Sequence, residues 1–320
     1  MSIVSVIVPA YNAERTILQT VLSIQKQSLS DLEIIIINDG STDKTVELLN
    51  TVQDPRLKIF NYENGGLPVA RNRGISHATG EYVAFIDADD LWTPDKLESQ
   101  LAALEKHPDA GVAYSWTRFM DEKAETYHLS TPIYFEGDVY ANLLVWNFIA
   151  SGSNPLVRRE AIKDVGEFDA TLRSAEDWDY WLRLARRWHF AVVPKAQVLY
   201  RKSSGAMSSK IDVMEKYNLI VIDKAFERAP SHLQYLKKQS QAGIYQYMAQ
   251  LALMYAPPQE KFKLSFEKIQ NAIKLYPKLL VQKKTQILMI KLLLIKIFSD
   301  HLATFLMQSM SKIRATRLID

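Results

Sequence analysis

Cysteine is absent from the 320 residues, which excludes a disulfide framework, thiolate metal ligands and a catalytic thiol, and fits a reducing compartment. Long uncharged apolar runs are missing too. No stretch reaches the ~18 residues of a membrane-spanning helix, and Lys291 and Lys296 interrupt the greasiest segment, "ILMIKLLLIKIF". The opening "MSIVSVIVPAYN" has no basic leader and breaks at Pro9, so it reads as a strand rather than a signal peptide, and a cytoplasmic location is expected. Glycine is sparse, at 11 residues. Neither G-x-G-x-x-G nor a P-loop lysine motif follows the first apolar run, so the usual dinucleotide and ATPase cradles are not present.

What the chain has is apolar content, 48%, sufficient for a sizeable core in one or two units. Its charge is uneven. Residues 1–210 carry 22 Lys and Arg against 28 Asp and Glu, net −6, whereas residues 211–320 carry 17 against 8, net +9. The two stretches are expected to do different work.

Residues 3–8 (IVSVIV) and 32–37 (LEIIII) are β-branched and apolar nearly throughout, as in strands covered on both faces of a parallel sheet. Between them Ile17, Leu18, Val21, Leu22 and Gln25 follow a helical period with one apolar stripe. The alternation repeats through "LKIF", "GGLPVARNRGISHA" and "EYVAFID", which predicts an α/β sandwich with right-handed crossovers. Ligands in such sheets bind beyond the carboxyl ends of the strands. "PAYN", "NDGS" and "DADD" begin there and are expected to line one crevice. "TPDKLESQLAALEKH" predicts a helix with Pro94 in its first turn, and "AGVAYSW" a strand; residues 117–155 carry no clear period. From 210 onward the pattern is helical, with a boundary near "SSGAMSSK". "FEKIQNAIKLYP" resembles one tetratricopeptide unit, too few for a solenoid.

Asp87, Asp89 and Asp90 crowd the end of the fourth strand, where like charges raise each other's pKa unless a cation neutralises them. A hard ion such as Mn²⁺ or Mg²⁺, held by one or two carboxylates and completed by substrate phosphates, meets that need. The alternative is that Asp90 and Thr93 cap the helix at Pro94. Arg71 and Arg73 in "ARNRG" suit bidentate phosphate contact, or else lie solvated on a helix face. Ser174 and Asp177 have the spacing of a capping box, and Trp178, Trp181, Leu182 and Ala185 that of a core face.

"VSVIVPAYNAERTI", "IIIINDGSTDKT", "NGGLPVARNRGI", "GEYVAFIDADDLWTPDKL" and "VGEFDATLRSAEDWDYWLRLA" resemble, in that order, the pattern of glycosyltransferase family 2 on the GT-A fold. The likeness covers residues 3 to about 209. It implies a Rossmann-like α/β/α sandwich with a mostly parallel central sheet over 1–210, its nucleotide-sugar half about 1–92 and its acceptor half about 93–210, followed by a basic helical region over 211–320. It further implies a nucleotide-diphosphate sugar donor, commonly a UDP-sugar. Pro9, Ala10, Tyr11 and Glu14 match the segment around base and ribose, Asp39 the acid that hydrogen-bonds the base, and Arg71 a nucleotide-contacting basic residue. Asp87, Ala88 and Asp89 match the D-x-D motif, the first acid reaching the ribose and the second the metal. Tyr11 and Asn12 on their own read as a turn and helix cap.

The same resemblance matches Glu176 and Asp177 to the family's E-D motif, with Asp177 as general base of an inverting displacement and Glu176 as an acceptor or donor-sugar contact. The base must lie within hydrogen-bond reach of the acceptor hydroxyl, and a helix N-terminus would keep it ionised. Trp178 reads as core or as a sugar-stacking surface. Lys202 and Ser203 stand where many members carry a histidine, so Arg201 is the remaining basic candidate for that role, and His189 reads as a strand-edge residue.

Basic residues among Leu, Ile, Phe and Met after 211 suit a helical face on an anionic membrane, at the inner side of the cytoplasmic membrane, or a homo-oligomer interface; no nucleic-acid module accompanies the charge. A saccharide or lipid-linked acceptor in bacterial polysaccharide or glycoconjugate synthesis is the expectation. The competing readings are an inactive sugar-nucleotide-binding scaffold and a nucleotidyltransferase, the latter lacking its Gly-rich activation loop.

Overall fold

The computed structural model describes residues 2–202 and 210–298. The loop "SSGAMSS", which includes Ser203, and the stretch from 299 onward lie outside them. The chain divides into two compact units, Met1–Ser203 with Asp223–Arg228, and the remainder.

In the first unit β1 (Val4–Ala10) and β2 (Leu32–Asp39) are buried at every position, as their unbroken apolar sequences require when both faces of the sheet are covered. β1 runs parallel to β2 and to β4 (Tyr82–Phe85), and β2 parallel to β3 (Leu57–Tyr62). The sheet is mixed, with order β3-β2-β1-β4-β8-β6-β9-β5. Its second half is built on β6 (Ala110–Met120) and β9 (His189–Arg201), which pair in parallel. β8 (Leu156–Arg158) lies antiparallel between β4 and β6, β5 (Leu91–Trp92) antiparallel to β9, and β7 (Thr126–Leu129) antiparallel to β6. The carboxyl ends of β1, β2 and β4 therefore open on one edge, as the alternation predicts.

Two local expectations are corrected, and the stretch without a clear period is resolved. In α1 (Ile17–Gln25) the buried positions are Ile17, Thr20, Val21 and Ile24, while Leu18 and Leu22 are 38% and 47% exposed. The face is rotated because the Thr20 hydroxyl lies 3.0 and 2.9 Å from the carbonyl oxygens of Ala88 and Asp90, tying α1 to the acidic loop. α4 (Lys96–Lys106) begins after Pro94, with Asp95 at its N-cap. The stretch 117–155 holds the end of β6, β7 and α5 (Tyr140–Val145), then a buried loop at 151–155.

The second unit is helical. α9 (Lys237–Tyr255), α10 (Pro258–Leu275) and α11 (Lys283–Ile297) close on Ala242, Ala249, Ile269, Ala272, Leu279, Leu288 and Leu292. Gln246 donates to the Thr285 hydroxyl at 2.6 Å within it. Among the described residues no helix is long and apolar enough to cross a membrane.

Candidate active site

Two loops that follow β1 and β2 hold each other. The Asn12 N–H donates to Ser41 Oγ, its Oδ1 accepts from the Thr42 N–H, and Glu14 Oε2 accepts from the Lys44 N–H at 3.0 Å. Pro9 and Ala10 finish β1 inside the core, and Tyr11, 55% exposed, stands at the mouth. Asp39, at the end of β2, is buried with both carboxylate oxygens engaged. They accept the N–H groups of Gly65 and Gly66 at 2.9 and 2.8 Å and one Arg73 nitrogen at 2.8 Å. Gly66 is the N-cap of α3 (Leu67–His77) at φ +87°, a conformation that side-chain-bearing residues rarely adopt.

α3 then aims Arg71 inward. The guanidinium is 1% exposed; one nitrogen donates to Glu176 Oε1 at 2.7 Å and another to Asp87 Oδ1 at 2.8 Å. The D-x-D acid Asp87 and the E-D acid Glu176, 16 and 105 positions from Arg71, thus meet on one cation. Burial opposes its charge, but Asp87, Glu176 and Asp177 outweigh it and hold Arg71 firmly protonated. Asn72 beside it exchanges two hydrogen bonds with the Phe168 backbone, at 2.9 and 2.8 Å, docking the loop that leads into α7 (Glu176–Ala185). The guanidinium that the resemblance matches to a nucleotide contact is here engaged with protein carboxylates. It also lies over the Phe168 ring, 5.4 Å from its centroid, and the Arg71 Nε is buried without a hydrogen-bond partner.

Asp90 is no helix cap. It is 1% exposed, accepts the Ser153 hydroxyl at 2.5 Å and the Arg201 N–H at 2.9 Å, and is pushed well up by burial and by Asp89 and Asp87. Asp89 is half-buried and pushed up to about 6, by burial first and by Asp87 second, against the pull of its backbone bond and Arg201. Among the described residues its carboxylate has no ion-pair partner within 4 Å and no hydrogen-bond partner beyond its own backbone. An acid left this way beside a second carboxylate is chemically suited to a divalent cation. Among the described residues no three acids or histidines gather to hold a metal alone, so substrate phosphate and water would supply the remaining ligands.

At α7 the capping-box expectation fails. The N-cap is Ala175, in the left-handed region at φ +59°, and no side chain caps the helix. Asp177 instead accepts the Trp178 N–H at 2.7 Å through one oxygen. Its pKa is pushed up to about 7, by burial first and Glu176 second, with Arg71 pulling it down. The helix N-terminus therefore does not keep it ionised, because desolvation and a neighbouring carboxylate exceed the dipole. Trp178 is 3% exposed and donates its indole N–H to the Leu143 carbonyl, so it is core and offers no face to a sugar. Arg201 is also structural: its guanidinium donates to the carbonyls of Asp89 and Glu122 and to Gln19 Oε1.

Sequence reasoning missed Ser151–Asn154. A Ser-Gly-Ser-Asn run reads as an exposed turn, yet all four residues are buried. Ser153 Oγ accepts the Asp87 N–H at 3.0 Å while donating to Asp90, and Trp92 donates to the Ser153 carbonyl. A Cβ on Gly152 would fall 2.3 Å from an Arg71 nitrogen that is pinned on both sides. Gly152→Ala is expected to displace Arg71 and lower stability by about 1–3 kcal/mol, the usual scale of overpacking, read as an earlier urea midpoint at unchanged slope.

A family model described as "Glycosyltransferase like family 2" matches residues 5–250. An uncharacterized glycosyltransferase of Rickettsia felis is 32% identical over 205 residues, covering 63% of this chain and 33% of that protein. The chain spans about a quarter to three-fifths of the length of the first curated relatives it matches. Among solved structures, S. aureus TarS in complex with UDP-GlcNAc is similar with TM-score 0.60 and 20% identity, over 86% of this chain and 90% of that one. The mannosyltransferase PcManGT from Pyrobaculum calidifontis, in complex with GDP-Man and Mn²⁺, has TM-score 0.60 and 18% identity over 96% and 84%. At such identities the two structures speak to the fold alone.

Proposed function

The chain belongs to the glycosyltransferase-like family 2, and from that premise we propose that it is a metal-dependent inverting transferase moving a sugar from a nucleotide-diphosphate donor, a UDP-sugar, to an acceptor hydroxyl. The observation that carries this reading is Arg71, whose two nitrogens hold Asp87 and Glu176 at 2.8 and 2.7 Å and so bring the donor-side and acceptor-side acids to one place.

In this reading the loops after β1 and β2 flank the base, with Asp39 orienting Gly65, Gly66 and Arg73 around it. Asp89, with Asp87 beside it, would hold Mn²⁺ or Mg²⁺, which when bound stabilises charge on the departing diphosphate. Asp177 takes the proton from the acceptor hydroxyl through its unengaged oxygen. The acceptor oxygen bonds to the anomeric carbon from the face opposite the diphosphate, the carbon–oxygen bond to the donor breaks, and the configuration inverts. Ser153, Arg201 and Thr20 keep the acidic loop in place by bonds to Asp87, Asp90, Asp89 and Ala88. TarS and PcManGT, solved with UDP-GlcNAc and with GDP-Man and Mn²⁺, support the donor class and the metal as parts of this proposal. The acceptor proposed is a saccharide or lipid-linked glycan of a bacterial surface polymer.

Asp89→Asn is expected to abolish the metal's enhancement of sugar-nucleotide binding while leaving the fold intact, since the amide oxygen can keep the bond to its own backbone and the carboxylate has no other described hydrogen-bond partner. Calorimetry with a UDP-sugar, with and without Mn²⁺, checks it; equal enhancement in both proteins removes the metal from the proposal. The exposed Met289, Leu293 and Ile297 of α11, beside Lys291 and Lys296, support a peripheral contact with anionic membrane. Flotation with anionic vesicles at low salt is the measurement, and failure to float rejects that contact.

A further inference from the structure

We propose that the hollow formed by α7, the start of α5, the end of α6 (Arg159–Val165) and the last turns of α8 (Ile211–Arg228) is a second site, which binds a phosphate-bearing group. The hollow has a volume of about 190 Å³, and every lining residue belongs to the first unit. Five cations face it, Arg183, Arg186, Arg187, Lys224 and Arg228, against two acids, Asp164 and Asp179.

Both acids are already committed. Asp179 Oδ2 accepts from Arg183 at 2.8 Å, and Asp164 Oδ2 pairs with Arg187 at 2.8 Å. The other two Arg183 nitrogens donate to the carbonyls of Val165 and Glu167. Lys224 is paired with Asp169 and lies 3.8 Å from Asp179. Arg186 and Arg228 are left without an ion-pair or hydrogen-bond partner among the described residues. Both act on the same polar point: burial pushes the Tyr140 hydroxyl up, and Arg186 and Arg228 pull it back. That hydroxyl donates only in a long 3.4 Å bond, to the Ala225 carbonyl, which a stronger acceptor in the hollow can displace.

Two forked guanidiniums and a phenol converging on one hollow match a tetrahedral oxyanion with several acceptor oxygens. Leu182, Val165 and Ala225 make part of the wall apolar, while Arg186 and Arg228 are exposed and can be reached from solvent. The site is separate from the crevice. Asp179, Leu182, Arg183 and Arg186 share one face of α7 by their spacing, whereas Asp177 lies two positions earlier, about 200° round the helix. It stands whether or not the crevice transfers sugar. Its ligand is a phosphate carried by a soluble phosphorylated molecule or by a lipid headgroup, held on the far side of the helix that bears Asp177.

The test uses the full chain and inorganic phosphate, with sodium chloride at matched ionic strength as control, on the natural protein and on Arg186→Gln/Arg228→Gln. Phosphate is expected to bind saturably and raise the melting temperature of the natural protein, and the double variant to bind at least about tenfold more weakly. Its melting temperature without phosphate should be unchanged, because neither arginine has a partner to lose. Asp89→Asn, measured in parallel, should keep the phosphate response, which separates this site from the crevice. Flotation with phosphatidylcholine vesicles containing phosphatidylglycerol distinguishes the sources. Flotation that the double variant loses assigns the phosphate to a headgroup, and phosphate binding without that loss assigns it to a soluble ligand. Equal phosphate binding by both proteins, or none by either, overturns the proposal.

Discussion

Asp177→Asn is expected to leave sugar-nucleotide binding within about twofold and to lower transfer by roughly 10²–10⁴-fold, the range for loss of a positioned general base. Asparagine keeps the shape and still accepts the Trp178 N–H, so the donor side is untouched. What is lost is the capacity to take a proton. With the carboxyl pushed up to about 7, the ionised fraction falls about tenfold per pH unit below that value, so transfer should rise with pH and flatten above about 7. The stability sign runs the opposite way. The usual value is 3.8, so ionising this acid in the fold costs free energy as pH rises from about 4 towards 7. Asparagine removes that cost, and the variant should be at least as stable as the natural protein at pH 8. Single-turnover transfer across pH, with a thermal melt at each pH, measures both. Full transfer by a stable Asp177→Asn protein would show that the base lies elsewhere.

Arg71→Met carries the largest structural effect. The methionine fills much of the space, but Asp87 and Glu176 lose their shared cation in a site where Arg71 is 1% exposed. Breaking a buried pair from one side typically costs about 3–5 kcal/mol, and in a unit of this size that is roughly 10 °C of melting temperature. The loss should shrink at acid pH. Without Arg71 the Asp177 carboxyl loses the cation that favours its anion, and protonating it relieves repulsion as pH falls. A variant equally destabilised at pH 5 and pH 8 would mean that lost packing, rather than uncompensated charge, is responsible. Sugar-nucleotide binding should weaken as well, through displacement of Asp87 rather than through a lost direct contact.

The contrast between these two residues shows how far the chain could be read. Asp177 carries a family motif, and its position at the start of a helix follows from the apolar period of Trp178, Trp181 and Leu182. Its protonation behaviour does not. A helix N-terminus favours the anion, and only the burial of this one, with Glu176 alongside, reverses that preference. Arg71 was recognisable as basic and helical, but its partners are 16 and 105 positions away, and no local pattern reports separations of that kind. Ser153 and Gly152 are less legible still, because a short polar run looks like a surface turn unless one knows that an arginine and two aspartates converge on it.

By itself the sequence determined the alternation of strands and helices, the edge at which their polar loops gather, and the acids at the end of β4, because β-branched runs, helical periods and turn residues act over a few neighbouring positions. The tertiary structure alone decided that Arg71 is buried between Asp87 and Glu176 and that Arg201 is tied to the carbonyls of Asp89 and Glu122. It also decided that Trp178 is core, that Ser153 braces Asp87 and Asp90, and that Asp177 holds its proton to near neutrality. Each of these depends on which distant groups share a desolvated space, and burial sets the strength of a charge only after the chain has closed around it.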